Sequence, residues 1–183
     1  MHRYFALLVP LLLLTACDSG IEPSDLPPPL GNFALGYSVV VAPNLVPGPL
    51  SRKVSSETWT SALKAAIDRR FETHQGPRVY HIAVSLEGYV LAKPGVPIVL
   101  SPKSALILNV TIWDDAAGVK LNAEPHQITV LESLNIKSLI GSGITMSEQE
   151  QFSNLVRNAV LSIESWLKSH PQQIWFSPKS NSK

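Results

Sequence analysis

Apolar residues recur along this chain at two periods, and the switches between them mark its elements. Leu35, Tyr37, Val39 and Val41 alternate with smaller or polar residues until Pro43, the pattern of a strand with one apolar face. From 56 to 71 the period lengthens. Trp59, Ala62, Leu63, Ala66, Ile67 and Phe71 then form one helical stripe, with Ser56 as cap, Glu57 at the positive end and Gly76-Pro77 as the stop. Alternation returns in Tyr80, Ile82, Val84 and Leu86, and again in Leu106, Leu108, Val110 and Ile112. Pro94, Pro97 and Pro102 interrupt pairing between those two runs. Asp114 to Gly118 reads as a hairpin loop, with aspartates suited to bonding their own backbone and a glycine suited to positive φ. Residues 119–123 and 127–131 bring the chain back on either side of Pro125. Thr145 and Glu148 have capping-box spacing ahead of a second stripe: Phe152, Leu155, Val156, Ala159, Val160, Ile163, Trp166 and Leu167.

The expected order is therefore β-α-β-β-β-α. Each helix has one apolar stripe and each strand one apolar side, so the sheet buries a single face. That predicts an α+β two-layer sandwich: an antiparallel sheet of about four strands with two helices on one face. The domain spans 35–176, and 177–183 is a polar tail.

The first 34 residues fit no core. Met1-His2-Arg3 is a short positive start, Tyr4 to Leu14 is apolar throughout, and small residues follow, which is the layout of a secretory signal peptide over 1–16. As a helix, Tyr4 to Ala16 would reach only about 20 Å, too short for a hydrocarbon layer of roughly 30 Å. Residues 17–34 carry Pro23 and Pro27-Pro28-Pro29 among Gly, Ser and Asp, a semi-extended tether with a reach of roughly 50 Å at about 3.1 Å per residue.

Leu14-Thr15-Ala16-Cys17 resembles a bacterial lipobox. The resemblance implies cleavage before Cys17, a diacylglycerol on its sulfur and acylation of the new N-terminus. Asp18 resembles the signal that keeps enterobacterial lipoproteins in the inner membrane, which favours its periplasmic face over the outer membrane. The chemistry agrees, since a thiolate is the side-chain nucleophile to alkylate and two or more acyl chains anchor stably.

Composition narrows the rest. With 45% hydrophobic residues among 183, the chain can build a real core. Its net charge is +1, so no electrostatic field points to nucleic acid. Removing 1–16 takes away Arg3 and leaves no net charge, while lipidation of the only cysteine excludes disulfides and thiolate metal sites. His2, His74, His81, His126 and His170 show neither HxH nor HExxH spacing. Asp114-Asp115 reads as turn chemistry rather than a carboxylate pair, and Gly141-Ser142-Gly143 matches no phosphate-binding or nucleophile-elbow motif. No catalytic residue, metal ligand or cofactor site is assigned. Two apolar stretches are candidate contacts: 93–103, with Val96 and Ile98 between prolines and lysines, and 134–144, with Leu139, Ile140 and Ile144 in no clean period.

The segments SPKSALILNVTIWDDAAG, LIGSGITMSEQEQFSNLVRNA and WLKSHPQQIWF are similar to a group of uncharacterised alphaproteobacterial lipoproteins. The element order is also similar to small periplasmic auxiliary lipoproteins, among them the lipopolysaccharide-assembly lipoprotein and those attached to lipid-transporting ABC systems. That likeness is one of fold. The expectation is a membrane-anchored periplasmic lipoprotein, a non-enzymatic accessory or interaction protein with a protein partner in the envelope. A carrier of lipid or hydrophobic ligand is the alternative, and an envelope hydrolase the second.

Overall fold

Eight elements make up the computed structural model, which describes residues 33–92, 104–132 and 147–169. They are β1 (Phe33–Val41), β2 (Val46–Pro47), α1 (Ser56–Phe71), β3 (Arg78–Val90), β4 (Ala105–Asp114), β5 (Val119–Lys120), β6 (His126–Leu131) and α2 (Glu148–Ser169). The signal segment and the C-terminal tail lie outside the described residues, as does the tether up to Phe33.

The class is α+β, but the sheet corrects the expectation. It is mixed and has six strands, not about four antiparallel ones, and the order is β-β-α-β-β-β-β-α. β1 runs parallel to β3 because α1 carries the chain back to the end of the sheet where β1 began. β2 continues along the same edge of β3, while β5 and β6 follow one another along the outer edge of antiparallel β4. The six strands thus fill four columns. A period-2 pattern records neither direction nor the splitting of a column.

β1 departs from the pattern in a second way. Its register against β3 slips between Leu35 and Ser38, so Gly36 and Tyr37 together face His81. One extra residue reverses the side of everything that follows. Phe33 and Ser38 are buried, whereas Tyr37, Val39 and Val41, expected to share the core side with Leu35, face solvent at 73%, 52% and 46% exposure. The buried Ser38 hydroxyl donates to Asp68 on α1, and Lys64 Nζ reaches both Asp68 Oδ2 (2.7 Å) and Ser38 Oγ (3.2 Å). This polar clip pins the helix to the edge strand.

Both helix starts are displaced from the sequence reading. Ser55 rather than Ser56 caps α1, accepting from Thr58 N at 3.1 Å. The helix ends with its stripe at Phe71, and Gly76, short of acting as its stop, bonds through its amide to Phe33 O. The capping box of α2 is Ser147 and Glu150: Glu150 N donates to Ser147 Oγ (3.2 Å) and Ser147 N to Glu150 Oε2 (2.7 Å). Glu148 is thereby free to pair with Arg52.

The two helices lie side by side and parallel, since Trp59 meets Phe152 near their starts and Arg70 meets Glu164 near their ends. Trp59, Leu63, Ile67 and Phe71 from α1, with Leu155, Ala159 and Ile163 from α2, are fully buried against the inward rows of β3 and β4. The outer column is held where it breaks. Between β5 and β6 the buried Asn122 accepts from Ile112 N (2.9 Å) and donates to Val110 O (2.9 Å), replacing ladder bonds with a side chain. Asn122→Ala strips two backbone groups of β4 of their partner, at an expected cost of about 2–3 kcal/mol. Urea unfolding checks this, and an unchanged midpoint would show the bridge to be incidental.

Candidate functional site

The open face of the sheet carries the most organised exposed group among the described residues. His81, on β3, lies in the β1 bulge with its ring against the backbone of Gly36, where a Cβ would come within 2.5 Å of Cε1. Only glycine leaves room for the imidazole there. Tyr37 N donates to His81 Nδ1 at 2.9 Å, so Nδ1 is unprotonated and Nε2 carries the hydrogen that faces Asp115 Oδ1, also at 2.9 Å. Tyr37 stacks its ring on His81 at 5.2 Å. Trp113 is the register partner of His81 on β4, and Lys120, its partner on β5, sets Nζ 5.9 Å from the indole centroid. A row Tyr37–His81–Trp113–Lys120 thus crosses the sheet.

With both nitrogens committed, His81 has no free lone pair for a hydroxyl nucleophile in this arrangement. Asp114 bonds the turn as expected, its Oδ1 accepting from Ala117 N at 3.0 Å, and Gly118 has φ of 63°. Asp115 turns instead to His81, which the dipeptide alone did not disclose. His126 stacks on Trp166 at 4.5 Å. Among the described residues no three of His, Cys, Asp and Glu come close enough to hold a metal.

The second polar group is buried between the helices. Arg70 Nε donates to Glu164 Oε2 at 2.7 Å, with both side chains under a tenth exposed, and Lys168 takes the other carboxylate oxygen. Burial alone would raise the Glu164 carboxyl, but the hydrogen bonds from Arg70 and Lys168 outweigh it and hold the group below its ordinary value. His74, just past the end of α1, is buried beside this pair. Burial pushes its imidazole down, against a bond to Phe71 O, and favours the neutral form. Arg70 Nη2 and Trp59 Nε1 are buried with no hydrogen-bond partner.

Among the described residues three clefts stand out, one where the helices begin and two where α2 passes the β6 edge of the sheet. The largest, of about 640 Å³, lies among Arg52, Lys53, Thr58, Glu148 and Phe152 where both helices begin. The other two, of about 300 and 320 Å³, flank β6. Among the described residues the middle of the layer between helices and sheet is filled by side chains.

Leu14, Thr15, Ala16, Cys17 and Asp18, expected from sequence to anchor and sort the chain, and Val96, Ile98, Leu139, Ile140 and Ile144, expected as partner contacts, lie outside the described residues. Their stems are described. Ala92 N donates to Ser104 Oγ (3.2 Å), Glu132 N to Ser104 O (2.9 Å), and Arg52 ties Ala92 O (3.2 Å) to Glu148 and Gln151 of α2. The roots of 93–103 and 133–146 therefore meet at the end where the helices start. Phe33 contacts Phe71 and His74 at the other end.

The buried groups give a pH signature. The lowered His74 and Glu164 both refuse, when folded, a proton that the unfolded chain accepts. Stability is thus complete above pH 6.5, falls below it as His74 resists charging, and falls again below 4.5 through Glu164. His74→Gln should flatten the first slope and Glu164→Gln the second, measured as urea midpoints from pH 8 to 4. Unchanged slopes would sink the assignment.

No protein-family model and no curated protein matches the chain. Solved structures resemble it loosely. A Xanthomonas campestris protein of the family DUF330 has TM-score 0.46 at 12% identity, covering 80% of this chain and 90% of that one. A hypothetical protein of Chlamydia trachomatis has TM-score 0.41 at 10% identity, covering 76% and 99%. A candidate lipoprotein of Caulobacter crescentus has TM-score 0.39 at 12% identity, covering 77% and 93%. Lipoproteins are thus among the structures it resembles, and a likeness at this level specifies neither activity nor partner.

Proposed function

We propose that the protein is a lipid-anchored envelope lipoprotein that serves, without catalysis of its own, as an accessory subunit of an envelope complex. Cys17 is the anchored residue after cleavage behind Leu14-Thr15-Ala16, and Asp18 retains the protein on the periplasmic face of the inner membrane. The observation that carries the reading is the polarity of the domain. The tether joins at Phe33, while the stems of both apolar stretches, Ala92 with Ser104 and Glu132 with Ser147, are gathered at the opposite end around Arg52. Val96, Ile98, Leu139, Ile140 and Ile144 are then the contacts held out toward a partner protein. The filled layer between helices and sheet favours this over the carrier, and the engaged nitrogens of His81 favour it over the hydrolase.

Two experiments test the reading. Cys17→Ser should abolish fatty-acid labelling and leave uncleaved precursor, and Asp18→Ser should move the protein to the outer-membrane fraction of a density gradient; a normally processed Cys17→Ser chain ends the anchoring claim. A photo-reactive residue at Val96 or Ile140, irradiated in intact envelopes, should yield an adduct with one envelope protein. Recovery of monomer alone from both positions counts against the accessory role.

A further inference from the structure

We propose that the open sheet face at the tether end, centred on Tyr37, Trp113 and Lys120, rests on the lipid headgroup layer and so fixes the orientation of the domain; this rests on the anchoring read from Leu14-Thr15-Ala16-Cys17.

Three observations converge on lipid as the occupant. The first is where the chain outside the described residues leads. Cys17 lies sixteen residues before Phe33. At about 3.1 Å per residue the Pro-rich tether read from the sequence reaches at most roughly 50 Å, so a bilayer holding Cys17 stays within reach of the β1 end. Tyr37 follows Phe33 by four residues, and on that face its row comes directly after the Ala34–Val79 pair at the tether end.

The second is composition. Tyr37 is 73% and Trp113 37% exposed, Val39 adds an aliphatic in the next row, and Lys120 lies over the indole. Tyrosine and tryptophan with a flanking lysine are the residues that settle at the boundary between hydrocarbon and water, where rings bury their faces and polar tips stay wet. Beyond them the face turns polar. Ser85, Asn109 and Gln127 follow in register, with Asn109 Nδ2 donating to Glu87 Oε1 at 3.0 Å. Val41 in the row of Ser85, and Ile107 and Leu131 farther along, are exposed aliphatics, but the exposed tyrosine, the tryptophan and the lysine over it all stand at the tether end.

The third is that the row is built rather than incidental. The bulge turns Tyr37 outward, and the pairing of Tyr37 N with His81 Nδ1, under the glycine that admits the ring, holds it there. Asp115 is the one carboxylate bonded into the row, and it is engaged with His81, leaving Lys120 to meet lipid phosphate.

The full chain, processed in an envelope and purified, is reconstituted in vesicles of phosphatidylethanolamine and phosphatidylglycerol that contain a labelled lipid. It carries p-benzoylphenylalanine in place of Val39 or, as control, of Leu161, which is exposed on the helix layer. Light should transfer labelled lipid to position 39 several-fold more than to position 161. Tyr37→Ser with Trp113→Ser should bring position 39 down to the control. If that pair impairs folding, as judged by urea midpoint, Lys120→Glu should lower the transfer by weakening the phosphate contact. Equal transfer at the two positions, or adducts at 39 with a second copy, overturns the inference. A maleimide probe on the unsubstituted chain separates the two readings: a reactive Cys17 ends the natural anchoring, and coupling it to a maleimide phospholipid then tests the face by itself.

Discussion

One extra residue in β1 decides which side of that strand meets water. Strict alternation would send Tyr37, Val39 and Val41 under the helices beside Leu35. The slip at Gly36–Tyr37 sends Ser38 there instead and turns the three apolar residues out. A buried serine is tolerable only with partners, and Asp68 and Lys64 of α1 provide them. The bulge in turn depends on His81, whose imidazole fills the space above Gly36 and takes the Tyr37 amide that the slipped ladder leaves. Remove the ring and that amide faces only water; add a side chain at 36 and the ring has nowhere to sit. The edge strand, the first helix and the open face are thereby one coupled arrangement.

The parallel pairing of β1 and β3 has an equally wide consequence. Because α1 returns the chain to its starting end, both helices begin at one end of the sandwich and finish at the other. Their positive ends meet around Arg52, and their negative ends near the tether. Arg52 is held by the backbone of Ala92 and Glu148 and by the side chains of Glu148 and Gln151, so it ties a strand end, a loop and a helix start together. With its first described residue at one end and its longest connections rooted at the other, the domain has a direction, which an antiparallel meander on the same residues would lack.

What could be read from sequence divides along physical lines. The stripes of α1 and α2 were legible because six and eight apolar residues repeat a period that only a helix satisfies, and Leu106–Ile112 was legible as a strand for the matching reason. Direction was not, since side-chain alternation is the same in parallel and antiparallel strands. Cap positions missed by one or two residues, because Ser55-Ser56 and Thr145–Ser147 each offer neighbouring hydroxyls and only packing chooses between them. The face of β1 was misread because a bulge leaves no trace in a hydrophobic count. Gly36 was its one written sign. The row Tyr37–His81–Trp113–Lys120 draws on three distant strands and a hairpin, so no local motif could have announced it.

The same sheet must satisfy two opposed demands. One face is packed against the helices, with Trp59, Leu63, Leu108 and Ile163 at zero exposure. The other is wet, short of apolar area in its middle and aromatic at one end. A body whose surfaces differ by end and by face presents a different chemistry in each orientation. The chain after residue 16 carries no net charge, so any preferred orientation rests on which residues touch rather than on a long-range field.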